Sequence, residues 1–153
     1  MEVTLRVVGI FFDTKVTVPE GATVKDVVDE AQENPGKGRT FRALTEGTGD
    51  KESPTTFYVN QPTDFESRSG NPYDAGEYQL KENTTPVGGQ YTIWQYYITK
   101  EDGTPDNPGK GENVPYNDPR AVVPAGGTVI WRLVTIRSGP DPISARARSI
   151  MLS

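Results

Sequence analysis

The stretch from Met1 to Gly36 confines this chain to a narrow set of folds. In VTLRVVGIFFDTKVTV, Val3, Leu5 and Val7 alternate with Thr4 and Arg6, and Val16 and Val18 alternate with Thr17. Successive side chains of a strand point to opposite faces, so the alternation predicts two strands with one apolar face each. A hairpin turning near Phe12-Asp13-Thr14 puts both apolar sets on the same side. The period then changes. In PEGATVKDVVDEAQENPG, Val24, Val27, Val28 and Ala31 fall at i, i+3, i+4 and i+7, one stripe of a short helix. Thr23 is placed to cap it, and Asp26 sits in the first turn, where the helix dipole favours an acid. Asn34-Pro35-Gly36 ends it, because proline disfavours a helical residue before it and glycine permits the reversal. Strand, strand, helix is the expected order.

From about residue 39 the chain reads as short strands in turn-rich surroundings. TTFYVNQ and EYQLKE are two of them. QYTIWQYYIT is a stronger one, with Trp94, Tyr96 and Ile98 on one face and Tyr91, Ile93 and Tyr97 on the other. Residues 101–119 form a long irregular connection, and loops of that length in compact domains are either functional or mobile. In GGTVIWRLVTI, Ile130, Val134 and Ile136 oppose Val129, Trp131 and Leu133, which predicts a central strand covered on both faces.

Two short echoes punctuate this framework. NPGKG occurs at 34–38 and again at 107–111. A Walker-type loop needs GxxxxGK[ST] after a buried strand and ahead of a helix. Here glycine follows each lysine, and the first copy ends a helix, so both copies read as turns. Val18-Pro-Glu-Gly-Ala-Thr-Val24 matches Val123-Pro-Ala-Gly-Gly-Thr-Val129 at five of seven positions. The order of the two echoes is inverted between the halves, which points to reused turn chemistry rather than a tandem repeat.

Composition narrows the chemistry. The 153 residues suit one domain, and 16 Gly with 13 Pro suit short strands joined by many turns. The chain has no Cys and no His. Disulfides, thiolate catalysis, iron–sulfur ligation and Ser-His-Asp or Cys-His machinery are thereby excluded. The expectation is a non-enzymatic protein without metal or cofactor. A net charge of −5 argues against a nucleic-acid partner. Residues 137–153 carry Arg137, Arg146 and Arg148 against Asp141, a local +2, leaving 13 basic and 20 acidic residues elsewhere, a net of −7. No apolar run approaches the about 18 residues that cross a bilayer. MEVTLRVVG reads as a strand rather than a signal peptide, so the expected location is cytoplasmic.

The opening with VPEGATVKDVVDEA resembles the β-grasp (ubiquitin-like) fold at its passage from second strand to helix. WQYYITKEDG followed by VVPAGGTVIWRL resembles one branch of it, the transcobalamin-like C-terminal domain family. The resemblance covers residues 2–34 and 91–136. It implies an α+β domain, a β-grasp-like mixed sheet with one short helix, spanning 1–137, with a large irregular, strand-containing insertion at about 39–90. Ubiquitin-like modifiers and sulfur carriers end in Gly-Gly, whereas this sequence ends Ser149-Ile150-Met151-Leu152-Ser153, and ferredoxin-type relatives need four Cys. What survives of the resemblance is a binding role: small-ligand capture or adhesion-type display.

Three constellations are candidates for that role. Tyr91, Trp94, Tyr96 and Tyr97 could stack on a sugar or another planar ligand, or they could be core. The acids around Glu101, Asp102, Asp106, Glu112 and Asp118 lack EF-hand spacing and read better as a solvated loop. The arm 138–153 begins with a Ser-Gly-Pro-Asp-Pro linker, after which Ile143, Ala147, Ile150 and Met151 fall at i, i+4, i+7 and i+8. Such a short amphipathic peptide gains order by docking. The expected function is an interaction or accessory subunit that binds a protein partner or self-associates, with Arg137, Ile143, Arg146, Arg148, Ile150, Met151 and Leu152 as docking residues. The alternative is a small-ligand or carbohydrate-binding module using the Tyr/Trp strand.

Overall fold

The computed structural model describes residues 1–36, 38–45, 53–61, 76–106 and 114–137. The opening alternation forms strand β1 (Glu2–Val7) and strand β2 (Phe12–Thr17), antiparallel, with Val3 opposite Val16 and Val7 opposite Phe12. The turn occupies residues 8–11, ahead of the expected Phe12-Asp13-Thr14. Gly9 is the reason. It takes φ 101°, which a side chain disfavours, and Ile10 then turns back into the core at 1% exposure. Phe12 becomes the first residue of β2 and joins Val3, Leu5, Val7 and Val16 in the core.

Helix α1 (Val24–Glu33) follows, with Val24, Val27, Val28 and Ala31 buried as their spacing requires. Its start is a reciprocal cap. The Asp26 amide donates to Thr23 Oγ1 at 3.3 Å, and the Thr23 amide donates to Asp26 Oδ2 at 2.9 Å. Its end is the first NPGKG copy, where Gly36 and Gly38 take φ 78° and 71°. Arg39 locks that turn by donating to the carbonyls of Pro35, Gly36 and Asp13. The second copy lies outside the described residues.

The remaining elements are β3 (Thr40–Leu44), β4 (Thr56–Gln61), β5 (Gly76–Lys81), β6 (Asn83–Val87), β7 (Gln90–Thr99) and β8 (Thr128–Arg137). They make two sheets, one of order β2-β1-β8-β7-β6 and one of order β3-β4-β5. In the first, β1 and β8 are parallel and the other pairs antiparallel. The fold is α+β, with α1 the one helix among the described residues. A β1–β2 hairpin, a helix and a parallel β1·β8 pair in a mixed sheet are compatible with a β-grasp-like topology. Of residues 39–90, β3, β4 and β5 form the separate sheet, while β6 returns to the first.

Aromatic rings join the two sheets. Phe12 stacks on Phe41 with centroids 4.1 Å apart, and Phe57 meets Trp94 edge-on at 4.8 Å and Trp131 at 5.3 Å. Each such side chain contributes about 1.5–3 kcal/mol by leaving water. The expectation for β8 needs one correction. Val129 and Trp131 are buried on the core side, but Ile130, Val134 and Ile136 are only half-buried, so its second face is incompletely covered.

The VPxGxTV echo is one turn built twice. Ala22 donates to the Pro19 carbonyl at 3.2 Å and Gly127 to the Pro124 carbonyl at 3.0 Å, with Gly21 and Gly126 at φ 84° and 73°. The two copies lie side by side, because Val123 donates to the Ala22 carbonyl and Thr23 bridges to Val122. No helix among the described residues is long and apolar enough to cross a membrane.

Candidate functional site

Alternation along β7 separates the four candidate aromatic residues into two environments. Trp94 and Tyr96 point inward and are 2% and 3% exposed. Phe57 lies against Trp94, Tyr96 lies 5.2 Å from Trp131, and the Tyr96 hydroxyl donates to the Val114 carbonyl. A ligand would have to displace Phe57 to stack on Trp94. Tyr91 is buried in a second cluster with Ile93 and Ile136. Tyr97 is half-buried, with the Arg132 guanidinium 4.4 Å over its ring and its hydroxyl donating to Gln95 Oε1 at 3.1 Å. The structure therefore brings Trp94 and Tyr96 together in the core and leaves Tyr97 with Arg132 outside it.

Two of the described acids, Asp102 and Asp118, are tied into local turns. Asp102 accepts from the Thr104 hydroxyl at 2.6 Å and the Thr104 amide at 3.0 Å, and the hydroxyl bond chiefly holds its carboxyl below the usual range. Asp118 accepts from Arg120 Nε, Nη2 and backbone amide, and the Arg120 side chain chiefly lowers it. Among the described residues no three His, Cys, Asp or Glu side chains converge on a metal position. Glu112 lies outside them.

The second half of the 101–119 connection is partly core. Val114 and Tyr116 are buried, as are Ala121 and Val123 beyond it. This strap occupies the first donors of α1, since Val24 donates to the Ala121 carbonyl at 3.0 Å and Lys25 to the Tyr116 carbonyl at 2.9 Å. These helix amides, which elsewhere would bind an anion, are already used.

The most unusual surface is the β1–β2 tip. Phe11 has φ 59°, an outlier for a bulky residue, and is 53% exposed beside Val8 at 47%. The tip is held from three sides. Ile10 anchors it in the core, Leu80 lies against Gly9, and Phe11 meets Tyr78 edge-on at 4.9 Å. Gln61 Nε2 also donates to the Phe11 carbonyl at 3.1 Å. Two exposed apolar side chains on a clamped, strained turn are the arrangement of a preorganised contact. Sequence reasoning missed it. The available signal was Gly9 before two adjacent phenylalanines, since strand alternation can bury only one of such a pair.

Arg137, the last described residue, is exposed at the end of β8. Ile143, Arg146, Arg148, Ile150, Met151 and Leu152 lie outside the described residues. Because β1 and β8 are parallel, the β1–β2 tip and the departure point of the arm lie at the same end of the sheet. Fold and surface together define an α+β mixed-sheet domain with an apolar tip. The chain matches no protein-family model and no curated protein.

Proposed function

We propose that this chain is a non-enzymatic interaction or accessory subunit on a β-grasp fold of the transcobalamin-like C-terminal type. It docks onto a protein partner or a second copy at the end of the sheet that carries the β1–β2 tip and the arm 138–153. Phe11 carries the reading: a large ring is kept in solvent, in backbone strain, by contacts that fix its position. Strain of that kind persists only where the surroundings over-determine it, and it clusters at ligand and partner contacts. Val8 extends the patch, and Arg137, Ile143, Arg146, Arg148, Ile150, Met151 and Leu152 supply the arm's part of the contact.

The test is the native mass of protein gently purified from its own cells with an N-terminal tag. A mass well above one 16.8 kDa chain is expected, falling toward one chain in Phe11→Gly and on deletion of 138–153. A bare monomer overturns the proposal. A single chain carrying a small added mass replaces it with ligand binding.

A further inference from the structure

The five-stranded sheet has two faces. Trp94, Tyr96 and Trp131 face the core, where α1 and the second sheet pack. On the outer face Tyr91 lies opposite Ile136, Ile93 opposite Val134 and Tyr97 opposite Ile130. Ile93 is 0% exposed there and Tyr91 2%, yet their apolar neighbours among the described residues are each other and Ile136. Neighbours on one face shield each other's flanks, but a side chain standing out from a sheet is closed off only by something laid over it. Neither α1 nor the second sheet can be that cover, since both pack on the opposite face.

The cover is local. Toward β1 and β2 the outer face turns polar, with Arg6 bonded to Asp13 at 2.9 Å and Glu2, Lys15 and Thr17 exposed. Midway, Tyr97 and Ile130 are half-buried and Arg132 is exposed. Burial is deepest at the end of the face where β8 finishes, one residue after Ile136. We infer that the arm 138–153 of the same chain is the cover, seated on the outer face of β7 and β8 by Ile143, Ala147, Ile150 and Met151.

Position, length and chemistry select the arm. Residues 46–52 and 62–75 leave from the second sheet and return to it. Residues 107–113 leave beside Ile98, at the far end of β7, and return at Val114, whose carbonyl accepts from Tyr96 on the core face. The arm starts beside the cluster, and the prolines of Ser138-Gly-Pro-Asp-Pro142 keep it from continuing β8. Beyond them 11 residues remain, about 16 Å long as a helix. From Tyr91 to Tyr97 along β7 is about 20 Å, so the arm ends where burial fades. A short apolar stripe gains order by docking, and this seat is apolar. For the interaction reading above, this gives the arm a direction. Ile143, Ile150 and Met151 hold it, while Arg146 and Arg148, on its other faces, are left for the partner.

The test uses the full chain, methyl-labelled and dilute, and reads nuclear Overhauser contacts. Contacts from the methyl groups of Ile93, Val134 and Ile136 to those of Ala147, Ile150 and Met151 are expected. Ile143→Ser combined with Ile150→Ser should abolish them and increase the fluorescence of an apolar dye, whereas Arg146→Ser combined with Arg148→Ser should do neither. Where the first variant unfolds, the wild-type contacts still decide. Absence of contact between the two methyl sets overturns the assignment. So do contacts from Ile93 to residues 62–75, which would make that segment the cover. Contacts seen only between differently labelled copies in a mixed sample overturn it too, in favour of the arm of a second copy. Native mass separates this seat from the interaction reading. Contacts in a protein that stays a bare monomer keep the seat and end that reading, and a larger mass without the contacts does the reverse.

Discussion

The side-chain amide of Gln61 reaches the backbone carbonyl of Phe11 at 3.1 Å, across 50 residues of sequence, from a position only 2% exposed. It fastens the end of β4 to the tip of the β1–β2 hairpin. Gln61→Leu keeps much of the volume and removes the donor. Losing a buried bond and leaving a partner unsatisfied costs about 1–3 kcal/mol, so urea denaturation should show a lower midpoint with an unchanged slope. An unchanged midpoint would mean that Ile10, Leu80 and Tyr78 hold the tip without help from Gln61.

Phe11→Gly sets two effects against each other. Glycine relieves a left-handed conformation that costs other residues about 1–2 kcal/mol. It also removes the edge contact with Tyr78, worth about 0.5–1.5 kcal/mol. The two nearly cancel, so the thermal midpoint should stay within a few degrees of wild type while partner binding is lost. A large drop in stability would show that Phe11 is a packing residue.

The aromatic core makes an optical prediction. Both tryptophans of the chain, Trp94 and Trp131, are buried, at 2% and 1% exposure. Native emission should be blue-shifted and resist acrylamide quenching. Phe57 touches both rings, so Phe57→Ala should cost about 3–5 kcal/mol and make the emission quenchable if the cavity admits solvent. Ready quenching in the wild type would instead restore Trp94 as a ligand-stacking residue.

Much of the fold was legible because local and global preferences agree. The stripe Val24, Val27, Val28, Ala31 can be buried only as a helix, and the Thr23–Asp26 cap marks where it starts. QYTIWQYYIT was read with the bounds that β7 takes. The misreadings come from tertiary causes. The hairpin turn moved because Ile10 found a core position, and the face of β8 that carries Ile130, Val134 and Ile136 stayed half-buried while Phe57 of the second sheet packs on the other face, against Trp131. Alternation placed the aromatic residues on opposite faces, but it does not say that Phe57 would arrive from another sheet to cover Trp94. The tip at Phe11 was illegible for the same reason, since it is set by what Gln61, Leu80 and Tyr78 bring to it from elsewhere in the chain.

The pH dependence of Asp118 follows from its bonds. Its carboxyl is depressed, first by the Arg120 side chain and then by the Arg120 amide. A carboxyl lowered by folding adds stability above its unfolded value, about 3.9, and that stability is lost as pH falls through the lower folded value. Asp118→Asn should therefore lower the thermal midpoint at pH 7, with the difference from wild type shrinking as the pH drops below about 4. A difference that persisted undiminished in strong acid would trace to the turn geometry rather than to the charge.

The two VPxGxTV turns differ at one instructive place, where Ala22 in the first is replaced by Gly127 in the second. A Cβ at Gly127 would lie 2.5 Å from the Thr99 carbonyl oxygen and 2.9 Å from the Pro124 carbonyl oxygen. Neither backbone atom can move cheaply. Thr99 is paired with Thr128, and the Gly127 carbonyl accepts from Thr4 at the start of the β1–β8 ladder. Gly127→Ala should therefore destabilise by about 1–3 kcal/mol through overpacking. Gly21 is the contrasting case, with nothing within 4 Å of a Cβ but φ at 84°. Its alanine variant should lose about 1–2 kcal/mol to backbone strain alone. Asparagine tolerates the left-handed region, so Gly21→Asn should recover part of that loss, while Gly127→Asn should recover none. Equal rescue at both positions would mean that the closeness of β7 does not set the cost of a side chain at Gly127.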